Sequence, residues 1–133
     1  MQIQPHILFA DDDRDIRELV QAVLQAAGFR VTTTDTTTGV LELAAAERFD
    51  VMLLDYWMPQ LTGFELCRRI RAFDQATPIL ICSGVINQAD RQEAVGAGAQ
   101  GYVTKPFSSK DLIGALRSLL QNEGGSHENP ISS

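Results

Sequence analysis

The sequence predicts an α/β fold in which a five-stranded parallel sheet carries helices on both faces. Short apolar runs alternate five times with segments whose apolar side chains recur at helical spacing. Several of the runs are apolar throughout, as expected of strands that are covered on both faces. Five successive strand–helix units favour a doubly wound parallel sheet. The length of 133 residues suits one compact domain that can bury a core without metal or disulfide support.

Each predicted strand is a run of apolar or β-branched residues. The runs occupy residues 6–10, 29–34, 51–54, 78–82 and 101–104. The third run reads Val-Met-Leu-Leu and has no polar side chain to face solvent. It is therefore expected to form a strand that is covered on both faces.

Helical spacing follows each strand, with apolar residues at i, i+3, i+4 and i+7. The predicted helices cover residues 13–27, 38–48, 63–73 and 87–97, and a last helix begins near Ser108 and Asp111. Asp13 is expected to cap the first helix and Gly28 to end it. Leu19 and Phe73 are assigned to buried helix faces, and Val95 and Ile113 are assigned to the core in preference to a dimer surface.

Charge, cysteine content and the distribution of apolar residues argue against several classes of protein. The net charge is −6, with 17 acidic and 11 basic residues, which argues against direct nucleic-acid binding by this domain. No stretch approaches the roughly 20 apolar residues that a membrane span needs. Residues 1–5 do not resemble a signal peptide. Cys67 and Cys82 both lie in apolar runs, so we expect buried, reduced thiols and a cytoplasmic location.

Polar residues that carry chemistry stand where four of the predicted strands end. The first strand is followed by Asp11 and Asp12, the third by Asp55, the fourth by Ser83 and the fifth by Lys105. In parallel α/β sheets the carboxyl ends of the strands form the site, near the point where the strand order reverses. These residues are therefore predicted to converge on one crevice.

The residue types at these strand ends suit phosphoryl transfer. Clustered carboxylates repel one another unless a cation joins them, and oxygen ligands alone favour Mg²⁺. A carboxylate such as Asp55 can accept a phosphoryl group as an acyl phosphate. Lys105 would neutralise the phosphoryl oxygens and Ser83 would donate a hydrogen bond to one of them. Taken singly each residue is a weak signal, whereas their joint placement is a strong one.

The chain resembles the response-regulator receiver family over about residues 5–121. The matching stretches are ILFADDD at 7–13, LLDYWMP at 53–59, LTG at 61–63, ICSG at 81–84 and GYVTKPF at 101–107. The resemblance implies a flavodoxin-like (βα)5 fold with strand order 2-1-3-4-5. It implies a receiver domain over residues 1–121, with residues 122–133 as a polar tail or the start of a linker.

The same resemblance implies roles for the residues at the strand ends. Asp55 would be the phosphoacceptor; Asp12 and Asp55 would bind Mg²⁺ directly, and Asp11 largely through water. Trp57 would contribute its backbone carbonyl to the metal. Ser83 and Lys105 would contact the phosphoryl group.

The switch and the partners also follow from the resemblance. Tyr102 would turn inward when Ser83 moves, and the bond before Pro106 would be cis. A sensor histidine kinase or a phosphotransfer protein would supply the phosphoryl group. The surface between Asn87 and Leu120 would then bind a downstream protein or output domain, or form a homodimer through helix 4, strand 5 and helix 5. This is a regulatory role rather than that of an enzyme.

Two positions suggest that the phosphoryl group is held for a long time. In this family the residues two places after the phosphoacceptor and two places after the strand-four Ser influence how water reaches the acyl phosphate. Here they are Trp57 and Val85, both apolar. Neither can orient water with a carboxylate or amide, so slow self-dephosphorylation is expected.

Two other functions remain open at this point. A phosphatase with an aspartate nucleophile would need a second Asp two residues later, an offset that Asp11 and Asp13 satisfy but that Asp55 does not, because Trp57 stands there. A degenerate receiver would act as an interaction module without phosphorylation. Every phosphoryl-handling position holds a competent residue, which favours the active receiver.

Overall fold

The structure of the chain, a computed structural model, describes residues 4–84 and 87–122. This part contains five strands and five helices in strict alternation. The strands are β1 His6–Ala10, β2 Arg30–Thr34, β3 Val51–Asp55, β4 Ile79–Ser83 and β5 Gly101–Thr104. The helices are α1 Arg14–Ala26, α2 Thr37–Ala46, α3 Gly63–Arg71, α4 Gln88–Ala97 and α5 Ser109–Asn122. The predicted α/β organisation is confirmed.

All strand pairs in the sheet are parallel, and the strand order is β2-β1-β3-β4-β5. This is the order that the family resemblance implies. The chain first places β2 on one side of β1 and then returns to place β3 on the other side. The order therefore reverses between β1 and β3, where the carboxyl ends of the two strands leave a crevice.

The pleat of the strands divides the apolar side chains between two cores. On one face, Leu8, Met52, Leu54 and Ile81 pack with side chains of α2, α3 and α4. On the other face Ile7, Phe9, Leu53 and Leu80 pack with α1 and α5, through residues that include Val20, Leu24, Leu112 and Leu116. Full burial of one such side chain contributes about 1.5–3 kcal/mol. These two cores fix the strand ends, and hence the polar groups that follow them.

Side chains near the helix starts act as caps. The Asp13 carboxylate accepts hydrogen bonds from the Asp15 and Ile16 N–H groups at 2.9 and 3.2 Å, which confirms its predicted role. Thr62 and Glu65 form a reciprocal capping box at the start of α3. Such caps stabilise a helix by about 1 kcal/mol. The α1 cap also fixes the turn that carries Asp11 and Asp12.

Several apolar residues are not where the sequence predicted them. Phe29 is buried but precedes β2, which begins at Arg30. Phe73 lies beyond the end of α3 and is 49% exposed. Leu19 and Val95 are 64% and 73% exposed, because their helix neighbours turn inward instead. On α4 the buried residues are two alanines, Ala94 and Ala97.

The two thiols agree with the sequence prediction. Cys67 and Cys82 are free and buried. Burial raises the pKa of Cys82 to about 12, so this thiol stays protonated at physiological pH. Within the described ranges, no helix is long and apolar enough to cross a membrane. The cytoplasmic location remains a prediction, as does the tail over residues 122–133, of which only Asn122 is described.

Candidate functional site

Three carboxylates meet at the crevice between β1 and β3. The parallel register pairs Ala10 with Leu54, so the residues that follow them, Asp11 and Asp55, lie side by side. With Asp12 they form a cluster in which one oxygen of each side chain lies within 4.8 Å of the others. Asp11 and Asp55 are buried and Asp12 is exposed. The predicted convergence of these three residues is therefore present.

Lys105 reaches the same cluster from the end of β5. Its Nζ lies 2.9 Å from Asp11 Oδ2 and 2.9 Å from Asp55 Oδ1, and so joins two buried carboxylates. The Lys105 backbone N–H donates to the Ser83 carbonyl at 2.7 Å, which ties the end of β5 to the end of β4. The peptide bond between Lys105 and Pro106 is cis, the geometry implied by the resemblance.

The ion pairs determine the charge state of the cluster. Burial raises the pKa of Asp55, while the hydrogen bond from Lys105 opposes the shift and the nearby Asp11 adds to it. Burial lowers the pKa of Lys105, but its hydrogen bonds to Asp11 and Asp55 raise the pKa by more, so the net shift is upward. Lys105 is thus held as an ammonium, and the pocket keeps one fixed positive charge among its carboxylates.

Backbone and side-chain contacts hold the turn after β1. The Asp11 N–H donates to the Thr34 carbonyl at 3.2 Å, and the Asp11 carboxylate accepts from the Asp13 N–H at 2.9 Å. From α1, Arg17 Nη1 donates to the Asp11 carbonyl at 2.9 Å. The Arg17 contact was not apparent from the sequence, because a basic residue on an amphipathic helix is usually a solvated surface residue.

The loop after β3 packs closely against the acceptor strand. The Gly63 N–H donates to the Tyr56 carbonyl at 2.8 Å and closes the loop. A Cβ atom on Gly63 would lie 3.0 Å from the Asp55 carbonyl oxygen, so the close approach favours glycine there. Gln60 has a φ of 81°, in the left-handed region. Trp57 is 71% exposed and contacts the Tyr56 ring edge-on.

Ser83 and Tyr102 border a cavity beside the carboxylate cluster. Ser83 is half-buried at the end of β4, and the half-buried Tyr102 ring lies under the Arg91 guanidinium, 5.1 Å from the ring centroid. The cavity has a volume of about 340 Å³, and its walls include Trp57 and Phe64. The predicted switch residues therefore adjoin one cavity, whereas Val85 lies outside the described residues.

The carboxylate cluster fits a divalent cation such as Mg²⁺. Its potential ligands are all oxygens, the spacing permits a shared ion, and Asp12 is open to solvent. Among the described residues, no donor forms a hydrogen bond with the Asp12 carboxylate. A cation that keeps several waters would therefore find an accessible ligand at Asp12 and partly shielded ones at Asp11 and Asp55.

Comparison with known families agrees with this fold and site. The model of the response regulator receiver domain matches residues 7–117. The chain belongs to the response regulator receiver family, whose members are regulatory domains of two-component signalling.

Individual relatives support the assignment. The chain is 41% identical over 125 residues to the transcriptional regulatory protein CseB of Streptomyces coelicolor, an alignment that covers 93% of this chain and 53% of CseB. It is 36% identical to the response regulator MprA of Mycobacterium leprae, with 86% of this chain and 50% of MprA covered. The chain thus spans about half the length of these curated relatives.

A solved structure shows the same fold. The chemotaxis response regulator CheY4 of Vibrio cholerae is similar with a TM-score of 0.84 and 35% sequence identity. The match covers 89% of this chain and 100% of the CheY4 chain.

Proposed function

We propose that this receiver domain accepts a phosphoryl group on Asp55 in a Mg²⁺-dependent reaction with a sensor histidine kinase or phosphotransfer protein. The observation that carries the proposal is the Lys105 ammonium, which lies 2.9 Å from both Asp11 and Asp55 at a cluster of three carboxylates. Such a site supplies a nucleophile and positive charge for the incoming oxygens, and transfer of this kind depends mainly on positioning and charge neutralisation.

Each residue has a separate task in the proposed reaction. An Asp55 carboxylate oxygen forms a bond to phosphorus as the N–P bond of the donor phosphohistidine breaks, and the leaving imidazole takes up a proton. Asp11, Asp12, Asp55 and the Trp57 carbonyl would hold Mg²⁺, which when bound would neutralise negative charge on the phosphoryl oxygens. Lys105 would transfer its contact from the Asp55 carboxylate to the new phosphoryl group, and Ser83 would donate to another oxygen.

The phosphoryl group would then alter the output surface between Asn87 and Leu120. It brings about two negative charges to the position of one carboxylate. Ser83 and Lys105 would move toward those charges, and Tyr102 has a cavity of about 340 Å³ beside it to enter. We propose that this change regulates binding of a downstream protein or output domain, or a homodimer through α4, β5 and α5.

Phosphorylation can be tested without the kinase. The chain is incubated with acetyl phosphate and Mg²⁺, and its intact mass is measured. One phosphoryl adduct is expected on the wild type, and none is expected on Asp55→Ala or when EDTA replaces Mg²⁺. Asp50→Ala is a matched control, because Asp50 precedes β3 at the opposite end of the strand and should leave the adduct in place. An adduct that persists in Asp55→Ala would contradict the proposal.

The phosphatase alternative is disfavoured by the contacts of Asp13. This residue, the candidate acid or base, accepts two backbone hydrogen bonds as the α1 cap. Its N–H also donates to the Asp11 carboxylate at 2.9 Å. Asp13 is thus engaged in structural contacts. Turnover of a generic phosphomonoester that depended on Asp11 rather than Asp55 would favour the phosphatase after all.

A further inference from the structure

We infer that Arg17 is a positioning residue for the cation site, acting through the peptide that links Asp11 to Asp12. The inference rests on the proposed Mg²⁺ site and adds to it a residue that lies outside the carboxylate cluster. Arg17 lies on α1, is half-buried, and donates from Nη1 to the Asp11 carbonyl oxygen at 2.9 Å. That carbonyl belongs to the peptide group whose nitrogen is that of Asp12.

The two carboxylates joined by this peptide are held in different ways. The Asp11 carboxylate is fixed directly, because it accepts from the Asp13 N–H and from Lys105, each at 2.9 Å. The Asp12 carboxylate is exposed and has no hydrogen-bond donor among the described residues. The position of the Asp12 carboxylate therefore depends on the backbone that carries it. Arg17 holds that backbone through the carbonyl oxygen of the preceding residue, Asp11.

Arg17 also connects this turn to a rigid element. The residue stands in the first half of α1, which is capped by Asp13 and anchored in the core by Val20 and Leu24. A guanidinium supported by a packed helix restricts the rotation of the peptide more than a solvent contact would. The contact therefore orients Asp12 toward Asp55 before a cation binds, which lowers the entropy cost of binding.

Charge and positioning predict opposite effects when Arg17 is neutralised. A positive charge near a cation site repels the cation, so Arg17→Gln would tighten Mg²⁺ binding if Arg17 acted only through its charge. If Arg17 positions the turn, the shorter Gln cannot hold the carbonyl and Mg²⁺ binds more weakly. Loss of a residue that orients metal ligands costs about tenfold or more in metal affinity.

The experiment is a Mg²⁺ titration followed by the fluorescence of Trp57, the only tryptophan in the sequence. A thermal melt in EDTA measures the stability of each metal-free variant. Arg17→Gln is expected to raise the Mg²⁺ dissociation constant about tenfold, and Arg17→Lys, which keeps one donor and the charge, is expected to restore most of the affinity. Arg14→Gln is the matched control, because Arg14 lies on the same helix and, within residues 4–84 and 87–122, pairs only with the exposed Glu18.

The outcomes distinguish a failure of the Arg17 inference from a failure of the proposed Mg²⁺ site. Weaker binding in Arg17→Gln, with Arg14→Gln unchanged, supports the inference. Equal affinities in Arg17→Gln and Arg14→Gln, or tighter binding in Arg17→Gln, would overturn it while leaving the Mg²⁺ site intact. A wild type that gives no Mg²⁺ response by fluorescence or thermal shift would overturn the site as well. If Arg17→Gln does not fold, Arg17→Met takes its place with the same expectation.

Discussion

Gln60 holds a backbone conformation that its side chain disfavours. Its φ of 81° lies in the left-handed region, where a residue with a Cβ atom is strained by about 1–2 kcal/mol. Gln60→Gly should therefore raise the free energy of unfolding, by roughly 0.5–1 kcal/mol after the greater chain entropy of glycine is counted. Urea denaturation measures the difference.

Gln60→Ala provides the control for this effect. Both variants lose the 3.5 Å contact between the Gln60 side chain and the Thr37 hydroxyl, but alanine keeps the Cβ atom. A difference between Gly and Ala at position 60 therefore isolates the backbone strain. An alanine variant as stable as the glycine variant would show that the strain is absent.

Trp57 is expected to limit loss of the phosphoryl group by water. Its side chain is 71% exposed and offers no carboxylate or amide two residues after Asp55. Trp57→Asn should speed the release of phosphate several-fold, short of the roughly hundredfold contributed by a positioned acid or base. Trp57→Phe should leave the rate near that of the wild type. A phosphate-release time course tests both, and loss within seconds from the wild type would contradict the slow rate.

At the scale of elements, His6 links β1 to its neighbours and makes their packing sensitive to pH. Nε2 of the buried His6 ring lies 2.7 Å from the Thr32 hydroxyl oxygen of β2. The centroid of the same ring lies 4.5 Å from the centroid of the Phe49 ring. Burial lowers the pKa of His6, and the nearby Arg30 adds to the shift. In the folded chain the imidazole is therefore harder to protonate than in the unfolded chain.

The sign of the resulting pH dependence follows from proton uptake. Below about pH 6.5 the unfolded chain binds a proton that the folded chain resists, so stability falls as the pH drops through that value and is fully present above it. The urea midpoint of the wild type should decrease between pH 7.5 and 5.5 by more than that of His6→Gln. Equal slopes in wild type and His6→Gln would refute the assignment.

The sequence predicted the order of the elements and the convergence of Asp55 and Lys105 for a physical reason. Asp55 and Lys105 directly follow apolar or β-branched runs, and a parallel sheet brings the ends of such runs to one edge. Leu19 and Val95 were harder to place, because helical periodicity defines a broad apolar arc without fixing which neighbour turns inward. The Arg17 contact was hidden, since it joins a side chain to a backbone carbonyl and depends on the position of α1.

For the whole molecule, the exposed face of α4 belongs to the surface that we propose for assembly. Val95 is 73% exposed and lines a shallow hollow with Gln88, Arg91 and Gln92. If phosphorylation promotes the proposed homodimer, Val95→Glu should weaken it by placing like charges across the two-fold axis. Light scattering before and after acetyl phosphate treatment measures the change in mass.

Leu19→Glu is the matched control for this variant. Leu19 is 64% exposed but belongs to α1, which packs on the other face of the sheet from α4. The same change in charge and polarity there should leave the dimer intact. A phosphorylated wild type that stays monomeric at high concentration would argue against dimer formation through this face.

Because the two cysteine thiols are buried, their reactivity can be used to follow separation of the helices from the sheet. Cys67 and Cys82 lie in the cores on opposite faces of the sheet, and both are shielded from solvent in the folded chain. A thiol-specific reagent can modify either residue only when its side of the sheet separates from the helices that cover it. The labelling rate of Cys67 therefore reports on the face covered by α2, α3 and α4, and that of Cys82 on the face covered by α1 and α5. Because Cys82 immediately precedes Ser83, its rate reads out how phosphorylation tightens or loosens the end of β4.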